Sequence, residues 1–81
     1  MNEYLLLERI VVDPRVLVGK PTVRGLRISV DQILTALAAG VDEEAVLEDY
    51  PDLEPDDIRA ASLYAAMRVR EEQVYELSPA P

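Results

Sequence analysis

The 81-residue sequence contains no cysteine and no histidine, and Lys20 is its only lysine. The chain therefore lacks the usual general base, a thiol nucleophile and every common zinc-binding constellation. Without cysteine there is also no disulfide to indicate an extracellular protein. The sequence predicts a protein that is not an enzyme, uses no cofactor or metal and has no small-molecule substrate. A cytoplasmic location is the default expectation.

Long hydrophobic runs are also absent. The longest uncharged apolar stretch runs from Gln32 to Val41, far short of the roughly 20 residues that a membrane-spanning helix needs. The leucines at positions 5–7 lack the positively charged start of a secretory signal. We therefore expect no membrane partner.

Two segments resemble ligand sites but lack required residues. The segment GKPT at 19–22 resembles the end of a phosphate-binding loop, yet Pro14 stands where the earlier glycine belongs and Pro21 separates the lysine from the hydroxyl. The acidic stretch 49–57 lacks the central glycine and terminal glutamate of a calcium loop. We interpret these acids as helix caps and solvated surface.

Charge is distributed unevenly along the chain, whose net charge is −8. Residues 1–30, the basic head, contain five basic and three acidic residues. Residues 31–81, the acidic body, contain three basic and thirteen acidic residues. This asymmetry predicts two partners of opposite charge character, the alternative being an acidic surface that is only solvated.

The head is predicted to form a short β element over residues 4–28. An aliphatic and β-branched run from Leu5 to Val12 predicts a strand that ends at the turn signal Asp13-Pro14, and one or two further short strands are expected after it. The predicted structural turn residues are Gly19, Pro21 and Gly25. The two glycines are expected to adopt positive φ.

Three helices are predicted in the body. Ser29 and Gln32 have capping-box spacing, and Gly40 is a helix terminator. Asp42 can cap a second helix, and Pro55 suits the first position of a third. The predicted helices span about 30–39, 43–50 and 55–72. They complete a single domain over 1–77, followed by a disordered tail at 78–81.

The third helix has apolar residues on two opposite faces. One face includes Ile58 and Ala61, and the other includes Leu63, Tyr64, Met67 and Val74. A helix that is apolar on two faces needs two neighbours, one of which can be the domain core. We predict that Leu63, Tyr64 and Met67 form a protein interface, in a homodimer or with a partner. Alternatively, the small domain itself wraps this helix.

Two segments resemble a known family, the domain of unknown function 433. They are GKPTVRGLRISV at 19–30, and DYPDL at 49–53 followed by DIRAA at 57–61; the likeness covers Arg9 to Met67. The family usually has Gly-Gly-Lys-Pro and then Arg-Gly-Thr-Arg in the first segment, so Val18 and Leu26 depart from it. It also tends to have Thr or Ser where Glu54 stands.

The resemblance implies a mostly helical fold with a trihelical, helix-turn-helix-like (homeodomain-like) core and a short N-terminal β element. It also implies an antitoxin of the VapB kind, whose usual neighbour is a PIN-like ribonuclease toxin. The expected function is thus that of a type II antitoxin that neutralises this toxin and binds operator DNA for autoregulation. The alternatives are a stand-alone DNA-binding transcription regulator and a structural or adaptor dimerisation module.

The predicted DNA contact lies on the basic head. A standard helix-turn-helix inserts the start of its recognition helix into the major groove, but the start of the third helix here presents Glu54, Asp56 and Asp57, which phosphate repels. Phosphate contacts are made by Lys and Arg. The candidate DNA-binding residues are Arg9, Lys20, Arg24 and Arg27. The alternative for Arg24 and Arg27 is that they pair with acids of the body.

Overall fold

Two short strands and four helices make up the part of the chain, residues 2–71, that the computed structural model describes. In chain order the elements are α1 (Glu3–Leu7), β1 (Ile10–Val12), a 3-10 turn (Leu17–Gly19), β2 (Pro21–Val23), α2 (Val30–Ala38), α3 (Glu43–Asp49) and α4 (Pro55–Glu71). The predicted tail at 78–81 and Val74 lie outside the described residues. None of the helices within residues 2–71 has the length and hydropathy needed to cross a membrane.

The first element is a helix where the sequence predicted a strand. Asn2 caps α1, since its side chain accepts a hydrogen bond from the Leu5 amide at 3.0 Å. Leucine forms helices more readily than β-branched residues do, so the strand begins only at Ile10. Leu6 is buried and α1 packs against α4. The strand predicted from Leu5 to Val12 is therefore wrong except over β1.

The two strands form an antiparallel hairpin. Ile10 pairs with Val23, Val11 with Thr22, and Val12 with Pro21. Pro21 is thus the first residue of β2 rather than a turn residue, a position in a strand where proline is tolerated. An isolated bridge between Thr22 and Ser29 ties the other edge of β2 to the start of α2.

Backbone with positive φ flanks β2 on both sides. Gly19 and Gly25, two of the predicted turn residues, have φ of +81° and +75°. Val18 and Arg24 adopt +57° and +50°, a left-handed conformation that costs a residue with a Cβ roughly 1–2 kcal/mol. Val18 stands where the resembling family usually has glycine, so the structure gives a physical reason for that preference.

Helices α2, α3 and α4 begin at the residues that the local signals indicate. Ser29 and Gln32 form a complete capping box, with hydrogen bonds of 3.0 and 2.9 Å. Asp42 accepts a hydrogen bond from the Ala45 amide at 2.9 Å and so caps α3. Gly40, with φ of +95°, follows the end of α2. The three helices predicted in the body are confirmed within residues 2–71, and the ends of α2 and α3 differ from the predicted ones by one residue. The predicted end of the third helix at residue 72 lies outside the described residues.

One apolar core joins the hairpin to the helices. Its buried residues come from β2, from α2, α3 and α4, and from the turn before α4: Val23, Val30, Ile33, Val46, Leu53, Ile58 and Ala61. Because Val23 is fully buried among helical residues, the end of β2 is held close to the start of α4. This placement determines the surroundings of the basic residues in the head.

Candidate functional site

The four basic residues predicted to bind DNA divide into two pairs. Arg9 and Arg24 lie at the open end of the hairpin, just before β1 and just after β2, and both contact the first turn of α4. Lys20 and Arg27 are exposed to solvent. Among the contacts within residues 2–71, only the second pair is therefore presented on the surface without a strong partner.

Asp57 is the centre of the contacts made by the first pair. Its side chain is fully buried, with 0% exposure. Arg24 donates from Nε and Nη2 to the two carboxylate oxygens at 2.9–3.2 Å, and Arg9 donates from Nη1 to Oδ1 at 3.0 Å. The backbone amide of Glu54 donates to Oδ2 at 2.8 Å. In place of water, the carboxylate thus accepts four hydrogen bonds from protein donors. A fifth, longer one of 3.2 Å comes from Arg24 Nε, which contacts both carboxylate oxygens.

Local backbone geometry brings the two guanidinium groups together. The Arg24 amide donates to the Arg9 carbonyl at 2.6 Å, which closes the open end of the hairpin. Arg24 also donates from Nη2 to the carbonyl of Asp52, in the turn before α4. The positive φ of Arg24 therefore directs a side chain that joins the hairpin, the turn and α4.

The ionisation of this cluster favours its charged form. Burial raises the pKa of Asp57, but hydrogen bonds from Arg24, the Glu54 amide and Arg9 outweigh burial and hold that pKa below its ordinary value. The pKa of Arg24 is raised by its hydrogen bond to Asp57, and that of Arg9 by its hydrogen bonds to Glu54 and Asp57. The two arginines thus face three carboxylates, those of Glu54, Asp56 and Asp57, and the cluster offers no net positive charge to a phosphate.

Lys20 and Arg27 are differently placed. The Lys20 ammonium lies 3.8 Å from an oxygen of Asp31, and both side chains are largely exposed. Such exposed ion pairs contribute little to the stability of a protein. Within residues 2–71, Arg27 is exposed and forms neither a hydrogen bond through its side chain nor an ion pair. The alternative for Arg24 and Arg27 is pairing with acids of the body. Arg24 forms such a pair with Asp57, whereas Arg27 forms none within residues 2–71.

The predicted protein interface on α4 is half-buried. Leu63, Tyr64 and Met67 are each of intermediate exposure, and α1 packs against the same helix. The chain therefore wraps part of this face with a helix that the sequence did not predict. An apolar groove remains between α1 and the C-terminal half of α4, and Tyr64 and Met67 are among the residues that line it.

Sequence reasoning missed the role of Asp57, which it assigned only to the acidic start of a helix. A signal was present: Asp57 is the third residue of α4, from which a carboxylate can reach back to the amide of the residue before the helix. Among residues 2–71, no three acidic side chains lie close enough together to hold a metal ion.

A known protein family matches most of the residues that the structure describes. The family model described as "Protein of unknown function (DUF433)" matches residues 10–65, from β1 into α4. The uncharacterized protein y4eO of Sinorhizobium fredii is 41% identical over 58 residues, which is 72% of this chain and 26% of that protein. The chain therefore spans about a quarter of the length of this relative. No solved structure matches the chain.

Proposed function

Starting from the fact that this chain belongs to the family of proteins of unknown function DUF433, we propose that it is the antitoxin of a type II toxin–antitoxin pair. In this proposal it neutralises a PIN-like ribonuclease toxin and binds operator DNA for autoregulation. Its trihelical part is then a helix-turn-helix-like, homeodomain-like unit. The chain works in the cytoplasm, where both partners are found.

The observation that carries the toxin-binding part is an unneutralised acidic surface. Residues 42–57 contain nine acidic residues and no basic residue. Within the described residues, six of them are exposed and take part in no ion pair: Asp42, Glu43, Glu44, Glu48, Asp49 and Asp52. A ribonuclease needs basic surface to hold the phosphates of RNA. The acidic surface on α3 and the following turn complements a partner of that kind.

The helix-turn-helix-like interpretation is supported by the joint between α2 and α3. Four residues, 39–42, connect the two helices, and Gly40 lies in the turn. However, α3, the second helix of this pair, carries four acids, and α4, the third helix, begins with Asp56 and Asp57. Phosphate would be repelled by both helices. We therefore propose that DNA contacts the head through Lys20 and Arg27, whereas Arg9 and Arg24 hold the fold together.

The toxin-binding part is tested by co-expression with the product of a neighbouring toxin-like gene. We expect that product to arrest growth alone, and to be neutralised by and co-purify with this chain. The variant Glu44→Gln, Glu48→Gln, Asp49→Asn should weaken the complex and flatten its salt dependence. A matched control removes three acids elsewhere in the sequence, with Glu3→Gln, Glu8→Gln and Glu76→Gln. Absence of any complex, or equal weakening by both sets, contradicts the proposal.

The stand-alone transcription regulator remains the second candidate because Arg27 is exposed and free of a partner within residues 2–71. A mobility shift with the DNA upstream of the gene distinguishes the two functions. An antitoxin binds this DNA more tightly when its toxin is present. A stand-alone regulator binds equally well without any second protein.

A further inference from the structure

The groove between α1 and α4 is an apolar recess with charged residues at its edge. It has a volume of about 280 Å³, and its lining consists of Leu7, Ile10, Tyr64, Met67, Arg68 and Glu71. Arg68 and Glu71 form an ion pair of 3.2 Å at the edge, and both are well exposed. The groove therefore combines an apolar floor with a rim of balanced charge.

A large exposed side chain lies beside this groove. Tyr4 is 81% exposed and precedes Leu7 by three residues in α1, so the two lie on the same side of that helix. Tyrosine and methionine are both enriched at protein interfaces. One surface thus presents both a recess and an apolar side chain of a size that can fill such a recess.

We propose that this groove is the interface between two copies of the chain. In the dimer, α1 of each copy lies against the C-terminal half of α4 of the other, and Tyr4 of one copy enters the groove of the other. A twofold interface requires one surface that is complementary to itself. The groove and Tyr4 lie on one face of the molecule, so that face can pair with a second copy of itself.

Charge favours a second copy as the occupant. Two molecules of net charge −8 repel each other over most of their surface, most strongly at residues 42–57. At the groove the chain carries Arg68 against Glu71, so the charge of the lining residues is balanced. Across a twofold axis, Arg68 can face the partner's Glu71. Pairing there also leaves the acidic surfaces of both copies free, so the dimer does not depend on the toxin proposal.

Sedimentation equilibrium of the full chain tests the dimer. We expect the parent protein to be dimeric at roughly 100 µM, and Met67→Glu to raise the dissociation constant at least about tenfold. Val69→Glu is the matched control, because Val69 is 66% exposed and lies on the opposite side of α4. A monomeric parent, or equal weakening by both variants, overturns the proposal. A monomeric parent would leave the groove to residues 72–81 or to a partner protein.

Charge reversal at the rim provides a test that leaves the floor of the groove unchanged. Arg68→Glu gives a rim with two acids at these positions, and Glu71→Arg gives one with two bases. Each variant alone should dimerise at least about tenfold more weakly than the parent, whereas a mixture should form heterodimers. Circular dichroism confirms that both remain folded. Folded variants that self-associate like the parent, or that fail to pair when mixed, contradict the proposed interface.

Discussion

Arg24 and Asp57 are 33 residues apart in the sequence, and the Arg24 guanidinium holds the buried Asp57 carboxylate through both Nε and Nη2. The contact joins the end of β2 to the first turn of α4. A buried carboxylate is stable only while its donors are present, because water cannot replace them. The hairpin and the helical body are thus linked by the charged contacts of Arg9 and Arg24 as well as by the core.

Replacing Asp57 by Asn should destabilise the fold by roughly 3 kcal/mol, because two guanidinium groups lose their shared anion. The matched control is Asp56→Asn, whose carboxylate is more exposed and pairs at 3.5–3.9 Å. That control should cost less than about 1 kcal/mol. Urea unfolding measures both values. Equal stability of the two variants would show that the buried cluster contributes nothing beyond a surface pair.

Stability should depend on acid pH through Asp57. Its pKa in the folded protein lies below its ordinary value of 3.8. The folded state thus binds this proton less readily than the unfolded state, so the contribution of Asp57 is complete above about pH 4 and is lost as pH falls further. Unfolding curves between pH 2 and pH 7, at intervals of about half a pH unit, measure this loss. The free energy of unfolding of Asp57→Asn should decline less steeply in acid than that of the parent. If the two decline in parallel, Asp57 is not the group responsible for the loss of stability.

Val18→Gly should stabilise the protein. Val18 is 97% exposed and has φ of +57°, so the side chain contributes strain and little packing. Glycine relieves that strain but adds entropy to the unfolded chain, which leaves a net gain of about 0.5–1 kcal/mol. Thermal melting tests the sign, with Val12→Gly in β1 as a control that should lower the melting temperature. A lower melting temperature for Val18→Gly would mean that the loop makes contacts that offset its strain.

Gly25→Val should lower the melting temperature through backbone strain alone. Gly25 has φ of +75°, and a Cβ added there meets no other atom within 4 Å. We expect a loss of at least about 1 kcal/mol, or roughly 4–8 °C for a domain of this size. Gly25→Asn, which tolerates the left-handed conformation better, should lose less. If valine and asparagine melt alike, strain is not the cause.

Arg27→Ala and Arg24→Ala should affect different properties, the first DNA binding and the second stability. Removal of Arg27 should leave the melting temperature unchanged and reduce the slope of log affinity against log salt by about 0.9, the value for one phosphate contact. Removal of Arg24 should lower the melting temperature because Asp57 loses its main donor. Gel-shift titrations at several salt concentrations give the slopes. An unchanged slope for Arg27→Ala excludes this residue from the DNA contact.

The helices of the body could be predicted because their signals act within one turn. Ser29 with Gln32, and Asp42 with Ala45, place donors and acceptors only three residues apart. The leucines before Arg9 were ambiguous, since a short apolar run suits a buried strand or a helix, and packing against α4 decides between them. The pairing of Arg24 with Asp57 was not predictable in detail, because many acids of the body carry the same charge and only the folded chain selects one.

The link between the hairpin and α4 also affects how the chain folds as it is synthesised. Arg24 leaves the ribosome 33 residues ahead of Asp57. Two strands of three residues each are too short to persist as an isolated hairpin in water. We therefore expect the hairpin to form only after the start of α4 has emerged, so that the N-terminal half acquires its structure together with the helices.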